Sequence, residues 1–118
     1  MQEKKKWILQ YDGASKGNPW VAGGGVIIIN PEGKIEIRYV WGLGKKTNNQ
    51  AKALSLLLGL YLVKEKTINV VIILGDSMLV TKHMVKGSQA QNYKPNKILK
   101  RLKGIETTLE NVKYYHIL

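Results

Sequence analysis

Eight acidic side chains stand against nineteen Lys and Arg in this chain, and two of the acids, Asp12 and Asp76, each follow an apolar run of strand-forming residues. Asp12 closes Trp7-Ile8-Leu9-Gln10-Tyr11 and opens a stretch dense in turn formers, Gly13-Ala14-Ser15-Lys16-Gly17-Asn18-Pro19. Asp76 follows Asn69-Val70-Val71-Ile72-Ile73-Leu74-Gly75. Taken singly, the first reads as a turn-forming Asp and the second as a helix N-cap. The two histidines, His83 and His116, read as ordinary structural or surface residues. There is no cysteine, so no thiolate nucleophile, thiolate zinc site or disulfide framework is present, which fits a reducing, intracellular location. The chemistry that composition favours is binding: a formal charge of +11 and a pI near 9.9 favour polyanions and add salt-dependent affinity for phosphate backbones. A solubilising lysine surface is the plainer explanation of the same count.

The elements that must hold these residues are legible from periodicity. At 118 residues and 44% apolar composition the chain predicts one domain over residues 1–118, with residues 1–6 flexible. No window reaches the roughly 18 apolar residues of a membrane span, so no membrane partner is expected. The first strand is expected to end at Asp12. Gly23-Gly24-Gly25 leads into the β-branched run Val26-Ile27-Ile28-Ile29, and Asn30-Pro31-Glu32-Gly33 predicts a turn before Ile35, Ile37, Tyr39 and Trp41 alternate along a third strand. Ala51, Leu54, Leu58 and Leu62 fall at helical spacing, widened by Leu57 and Tyr61, behind an N-cap at Thr47 or Asn48. Residues 69–74 read as a strand buried on both faces. Residues 77–86 read as a short helix stopped by Gly87, and residues 96–109 as another with Ile98, Leu99, Leu102 and Ile105 on one side. Residues 112–118 complete the order β-β-β-α-β-α-α-β, an α/β mixed sheet flanked by helices.

Three motifs in sequence order give this arrangement a family likeness: Tyr11-Asp12-Gly13-Ala14-Ser15-Lys16-Gly17-Asn18-Pro19, Thr47-Asn48-Asn49-Gln50-Ala51 and Gly75-Asp76-Ser77. Together they resemble the type 1 ribonuclease H domain, in particular its short plant and retroelement reverse-transcriptase versions. The resemblance implies a ribonuclease H-like fold with a five-stranded sheet and, in the family, a further helix after the last strand that lies beyond Leu118, so that this last helix is missing here. It also implies endonucleolytic hydrolysis of the RNA strand of an RNA–DNA hybrid, with two Mg2+ (or Mn2+) ions roughly 4 Å apart held by a carboxylate cluster.

On that resemblance Asp12 and Asp76 are catalytic residues and metal ligands, while the family's Glu of the first helix is replaced by Lys52. A protonated lysine has three donors and no acceptor, so it cannot ligate magnesium and repels it. Lys52 is expected to reach Asp12, Asp76 or both as an internal counter-ion; the plainer alternative turns it to solvent. The family's fourth acid, like its mobile histidine, belongs to the segment past Leu118. One negative charge is then expected where the family carries four, and hydrolysis is expected to be weak or lost.

The nucleic-acid-binding positions implied by the same resemblance are Gly13, Ala14 and Ser15 near 2′-hydroxyls, Asn18, Asn48 and Asn49 in the minor groove, and Lys45 and Thr47 at a DNA phosphate. Trp20 and Val21 depart from the family pattern, and Lys82, Lys86, Lys94, Lys97, Lys100, Arg101 and Lys103 form a basic stretch that is either a second grip or a solvated helix face. The expected partner is an RNA–DNA hybrid or other nucleic acid. A sheet face bared by the absent helix would favour a homodimer. Two other readings stand beside this one: a degenerate structural or protein-interaction module, similar to the connection domains of retroelement reverse transcriptases, and an active enzyme completed by a partner chain.

Overall fold

A computed structural model describes residues 6–16, 20–76 and 97–116. Three strands open the chain: β1 (Trp7–Ser15), β2 (Trp20–Ile29) and β3 (Ile35–Lys46). Helix α1 (Asn48–Glu65), strand β4 (Val70–Gly75), helix α2 (Lys97–Glu106) and strand β5 (Asn111–His116) follow. The expected helix over residues 77–86, with Gly87, His83, Lys82, Lys86 and Lys94, lies outside the described residues, as do Asn18 and residues 1–5.

The five strands form one sheet in the order β3-β2-β1-β4-β5, antiparallel across β1–β2 and β2–β3 and parallel across β1–β4 and β4–β5. The turn before β3 is set by Asn30, whose Oδ1 accepts the N–H groups of Glu32 and Lys34 at 3.0 Å each. Gly33 supplies the positive φ of 84° that the turn needs. Strand β3 carries two register shifts against β2, and Gly44 takes φ 72° beside one of them.

Strand β1 does not end at Asp12 as expected. Residues Asp12, Gly13, Ala14 and Ser15 continue the ladder against Gly25, Gly24, Gly23 and Ala22 of β2, so the antiparallel partner overrides the turn propensity of that stretch. The pairing of β1 with β4, in contrast, stops at Gln10 opposite Leu74.

Helix α1 begins as expected at Thr47, where a capping box closes: the Gln50 N–H donates to Thr47 Oγ1 at 3.1 Å and the Thr47 N–H to Gln50 Oε1 at 2.9 Å. Its buried face differs from the expected one. Ala51, Ala53, Ser55, Leu56, Leu57, Gly59, Leu60 and Val63 are buried, whereas Leu54, Leu58 and Leu62 are half-buried and Tyr61 is exposed. The helix is apolar on nearly all sides, so periodicity alone does not choose a stripe; the sheet does, through small residues. A Cβ on Gly24 would fall on the Ser55 hydroxyl, and one on Gly13 would stand 2.5 Å from the Ala51 carbonyl carbon. Only glycine permits this depth of contact.

The core lies between that helix layer and the sheet, where Leu9, Tyr11, Val26, Ile28, Val71 and Ile73 meet Leu56, Leu60 and Val63 of α1 and Leu99, Leu102 and Ile105 of α2. Strand β4 is not buried equally on both faces: Val71 and Ile73 are fully covered, but Val70, Ile72 and Leu74 are half-buried, because both described helices contribute their buried residues to one core on one face of the sheet.

Candidate functional site

The parallel register places the two aspartates. Asp12 and Asp76 each lie two positions past the last β1–β4 pair, Gln10 with Leu74, so both carboxylates occupy the same row at the carboxyl end of the two central strands. Alternation settles their side: Tyr11, Gly13, Ile73 and Gly75 are buried toward the helices, whereas Asp12 and Asp76 are exposed. That edge, beyond the carboxyl ends of parallel strands, is where open α/β sheets present their ligand crevices.

Helix α1 brings in the third member. Its close approach at Gly13 sets the Lys52 backbone nitrogen 2.8 Å from where a Gly13 Cβ would stand, beside Asp12 in the chain. From there the Lys52 ammonium donates to Asp76 Oδ1 at 2.7 Å and to Asp12 Oδ1 at 3.3 Å. The solvent-facing alternative for Lys52 is not adopted: its side chain is 19% exposed, against 46% for Asp76 and 72% for Asp12. Partial burial pushes the Lys52 pKa down, but hydrogen bonds to Asp76 and Asp12, and the charges of both, outweigh it and hold the ammonium above its ordinary value. Asp12 Oδ1 also accepts the Gly13 N–H at 2.8 Å.

Around this triad the structure brings together several of the positions named from sequence. The Ser15 N–H donates to Asn48 Oδ1 at 2.6 Å, tying the end of β1 to the first turn of α1. Asn48 therefore has a bond beyond its own helix, while Thr47 takes the N-cap. Asn49 follows in the same turn and is exposed, as are Ala14 and Lys45, the latter opposite Val21 in the β2–β3 ladder. Gly13, expected near a 2′-hydroxyl, is buried beneath the Ala51–Lys52 backbone of α1 with its N–H given to Asp12, so it presents almost no surface of its own.

Two features escaped sequence reasoning. Arg38 joins Gln10, Asp12, Gly25, Ile27 and Val40 around a recess of about 500 Å³ on the sheet. Ser55, fully buried and donating to the Ala51 carbonyl at 2.8 Å, makes room with Gly24 for the helix that carries Lys52. The Gly23-Gly24-Gly25 run was a visible signal for such an approach, whereas nothing in the β3 sequence marks Arg38.

Chemically, two carboxylates bridged by an ammonium leave one net negative charge, with the cation already in the place between the acids. No group of three His, Cys, Asp or Glu side chains suited to a metal ion is found among the described residues. This donor set does not suit a divalent cation, which would have to displace the ammonium and still find, among the described residues, only two carboxylates there.

The profile of the reverse transcriptase-like family matches residues 10–118. A ribonuclease HI of Halobacterium salinarum is 34% identical over 74 residues, which make up 63% of this chain and 37% of that protein, so the matched span is little more than a third of the relative. The crystal structure of ribonuclease H1 from the same halophilic archaeon superposes with a TM-score of 0.83 at 25% identity, over 94% of this chain and 84% of that one. A second ribonuclease H1, LC11, whose crystal structure is a complex with an RNA/DNA hybrid, superposes at 0.82 with 24% identity over 95% and 85% of the two chains.

Proposed function

The chain belongs to the reverse transcriptase-like family, with a ribonuclease H-like fold, and on that premise we propose that it is a nucleic-acid-binding domain directed at RNA–DNA hybrids in which the hydrolysis typical of its relatives is weak or lost. The observation that carries this reading is the Lys52 ammonium, 2.7 and 3.3 Å from the two aspartates at the carboxyl end of the central strands. On the motif resemblance Lys52 stands where the ribonuclease H pattern has a glutamate, and the family generally works with a divalent metal. With a cation of the protein's own in the site, Asp12 and Asp76 are poor ligands for Mg2+ or Mn2+, and no hydrolytic step is assigned to them.

Binding draws on groups that Lys52 leaves untouched. Backbone at Ala14, with Ser15 held by Asn48, suits close approach of a sugar edge; Asn48 and Asn49 suit a minor groove, to which the family resemblance adds Asn18, outside the described residues; Lys45 and Thr47 suit a phosphate. The LC11 relative is seen with an RNA/DNA hybrid, which makes that duplex the first substrate class to try. If the domain pairs with itself, the sheet face that carries Ile8, Ile27 and Ile72 half-buried and Val40 exposed is where a second copy would pack.

The test is incubation of a labelled RNA–DNA hybrid with the purified chain in magnesium and in manganese, with binding to that hybrid and to duplex DNA followed across a salt series. Hybrid-preferring binding without cleavage supports the proposal. Cleavage by the pure chain refutes the loss of hydrolysis, and salt-sensitive binding with no hybrid preference favours the interaction-module reading instead.

A further inference from the structure

We propose that Lys52 serves as a built-in substitute for a divalent cation, so that this domain folds and engages a nucleic-acid backbone with no requirement for metal. The inference rests on the preceding reading of the site as a nucleic-acid-binding face and adds to it the ion dependence of that binding.

Two aspartates in one row at the end of a parallel strand pair repel each other and any incoming phosphate. A site built only from them needs a counter-charge before a polyanion can approach. The Lys52 Nζ supplies one from within, 2.7 Å from Asp76 Oδ1 and 3.3 Å from Asp12 Oδ1. Its side chain is only 19% exposed although a lysine on a helix could extend freely into water, so the ammonium is committed to the pair.

The backbone fixes this commitment. Gly13 under Ala51 and Lys52, the Gly24–Ser55 contact and the capping box at Thr47 hold the first two turns of α1 against the sheet. Two of the three ammonium donors are used on the carboxylates, and Asp12 on the outer side of the pair is 72% exposed, so this end of the site is open to solvent. A phosphate arriving there meets a partly neutralised site at any concentration of free magnesium. Divalent ions then act on binding only as competing counterions for the nucleic acid, which weakens association.

The experiment compares the full chain with K52E and with K52M, which keeps the length of the side chain without its charge, in EDTA and in magnesium at matched ionic strength. Hybrid affinity and melting temperature are both read. For the wild type, magnesium is expected to leave the melting temperature unchanged and not to tighten binding. K52E is expected to bind on the order of tenfold more weakly in EDTA, from a swing of two charges close to the backbone, and to regain affinity and melting temperature when magnesium is added. K52M falls between and gains less from magnesium, which guards against misreading a folding defect of K52E. Magnesium that tightens wild-type binding or raises the wild-type melting temperature overturns the inference. A wild type that binds no hybrid in either condition refutes the function proposed above and the binding half of this inference, and the melting temperatures then decide the cation substitution alone.

Discussion

Replacing Lys52 by Glu in metal-free solution should lower the stability of the domain. The Asp partners are 46% and 72% exposed, so each ion pair, at 2.7 and 3.3 Å, counts as a solvent-screened contact of about 0.5 kcal/mol, not as a buried one. The substitution removes both attractions, about 1 kcal/mol, and introduces two repulsions of similar size, so the expected loss is about 2 kcal/mol. For a domain of this length that corresponds to a fall in melting temperature of roughly 6–10 °C. Lys52→Met, which deletes the attractions without adding repulsion, should cost about half as much. The assay is thermal unfolding followed by circular dichroism in EDTA at low salt, repeated near 1 M NaCl, where a screening length of about 3 Å should narrow the gap between wild type and K52E. A K52E protein that melts at or above the wild type in EDTA refutes the counter-ion account of this side chain.

The contribution of Lys52 also has a sign in pH. Its folded-state pKa is raised above 10.5, so the stabilisation is fully present below the unfolded value and is lost as pH rises through the folded one; the melting-temperature difference between wild type and K52M should therefore shrink in the alkaline range, and a difference that grows there contradicts the assignment. Gly24→Ala drives a methyl group onto the Ser55 hydroxyl and should cost about 1–3 kcal/mol in chemical denaturation. The double variant with Ser55→Gly should recover part of that loss, and no recovery would mean that the strand, not the helix contact, requires the glycine. Thr47→Ala opens the capping box of α1 and should cost about 1 kcal/mol, read in the same denaturation series. The Glu36 carboxyl, which accepts from Lys66 at 2.9 Å and from Asn30, should titrate below its ordinary 4.5 and move back toward it in Lys66→Met, as followed by NMR.

Much of this molecule is written locally. The capping box Thr47–Gln50 announces where α1 starts, because both partners of the motif lie within one turn. Leu99, Leu102 and Ile105 stand out as the buried side of α2 because charged residues separate them. The β-branched runs of β2 and β4 mark themselves in the same way. Asp12, Lys52 and Asp76 could be singled out as a candidate cluster before any coordinates, since Asp12 and Asp76 lie within short motifs and Lys52 directly follows a third.

What the sequence could not decide were the choices made between elements distant in the chain. That β1 runs on through Asp12 to Ser15 depends on the Gly23–Gly25 stretch of β2 lying opposite, and local turn propensity argues against it. Of the apolar stripe expected on α1, Ala51 and Leu57 are buried, whereas Leu54, Leu58 and Leu62 are half-buried and Tyr61 is exposed, because a helix that is apolar all round carries no phase of its own. The phase comes from the sheet, where Gly13 and Gly24 admit Ala51 and Ser55. Lys52 was expected to reach the aspartates only through the family resemblance, since a lysine's own sequence position does not say which charges it will meet; the contacts with both are set by the tertiary structure. The parallel register of β1 and β4 puts two like charges in one row, the glycine contacts bring the helix beside them, and Coulomb attraction over distances near 3 Å decides the rest.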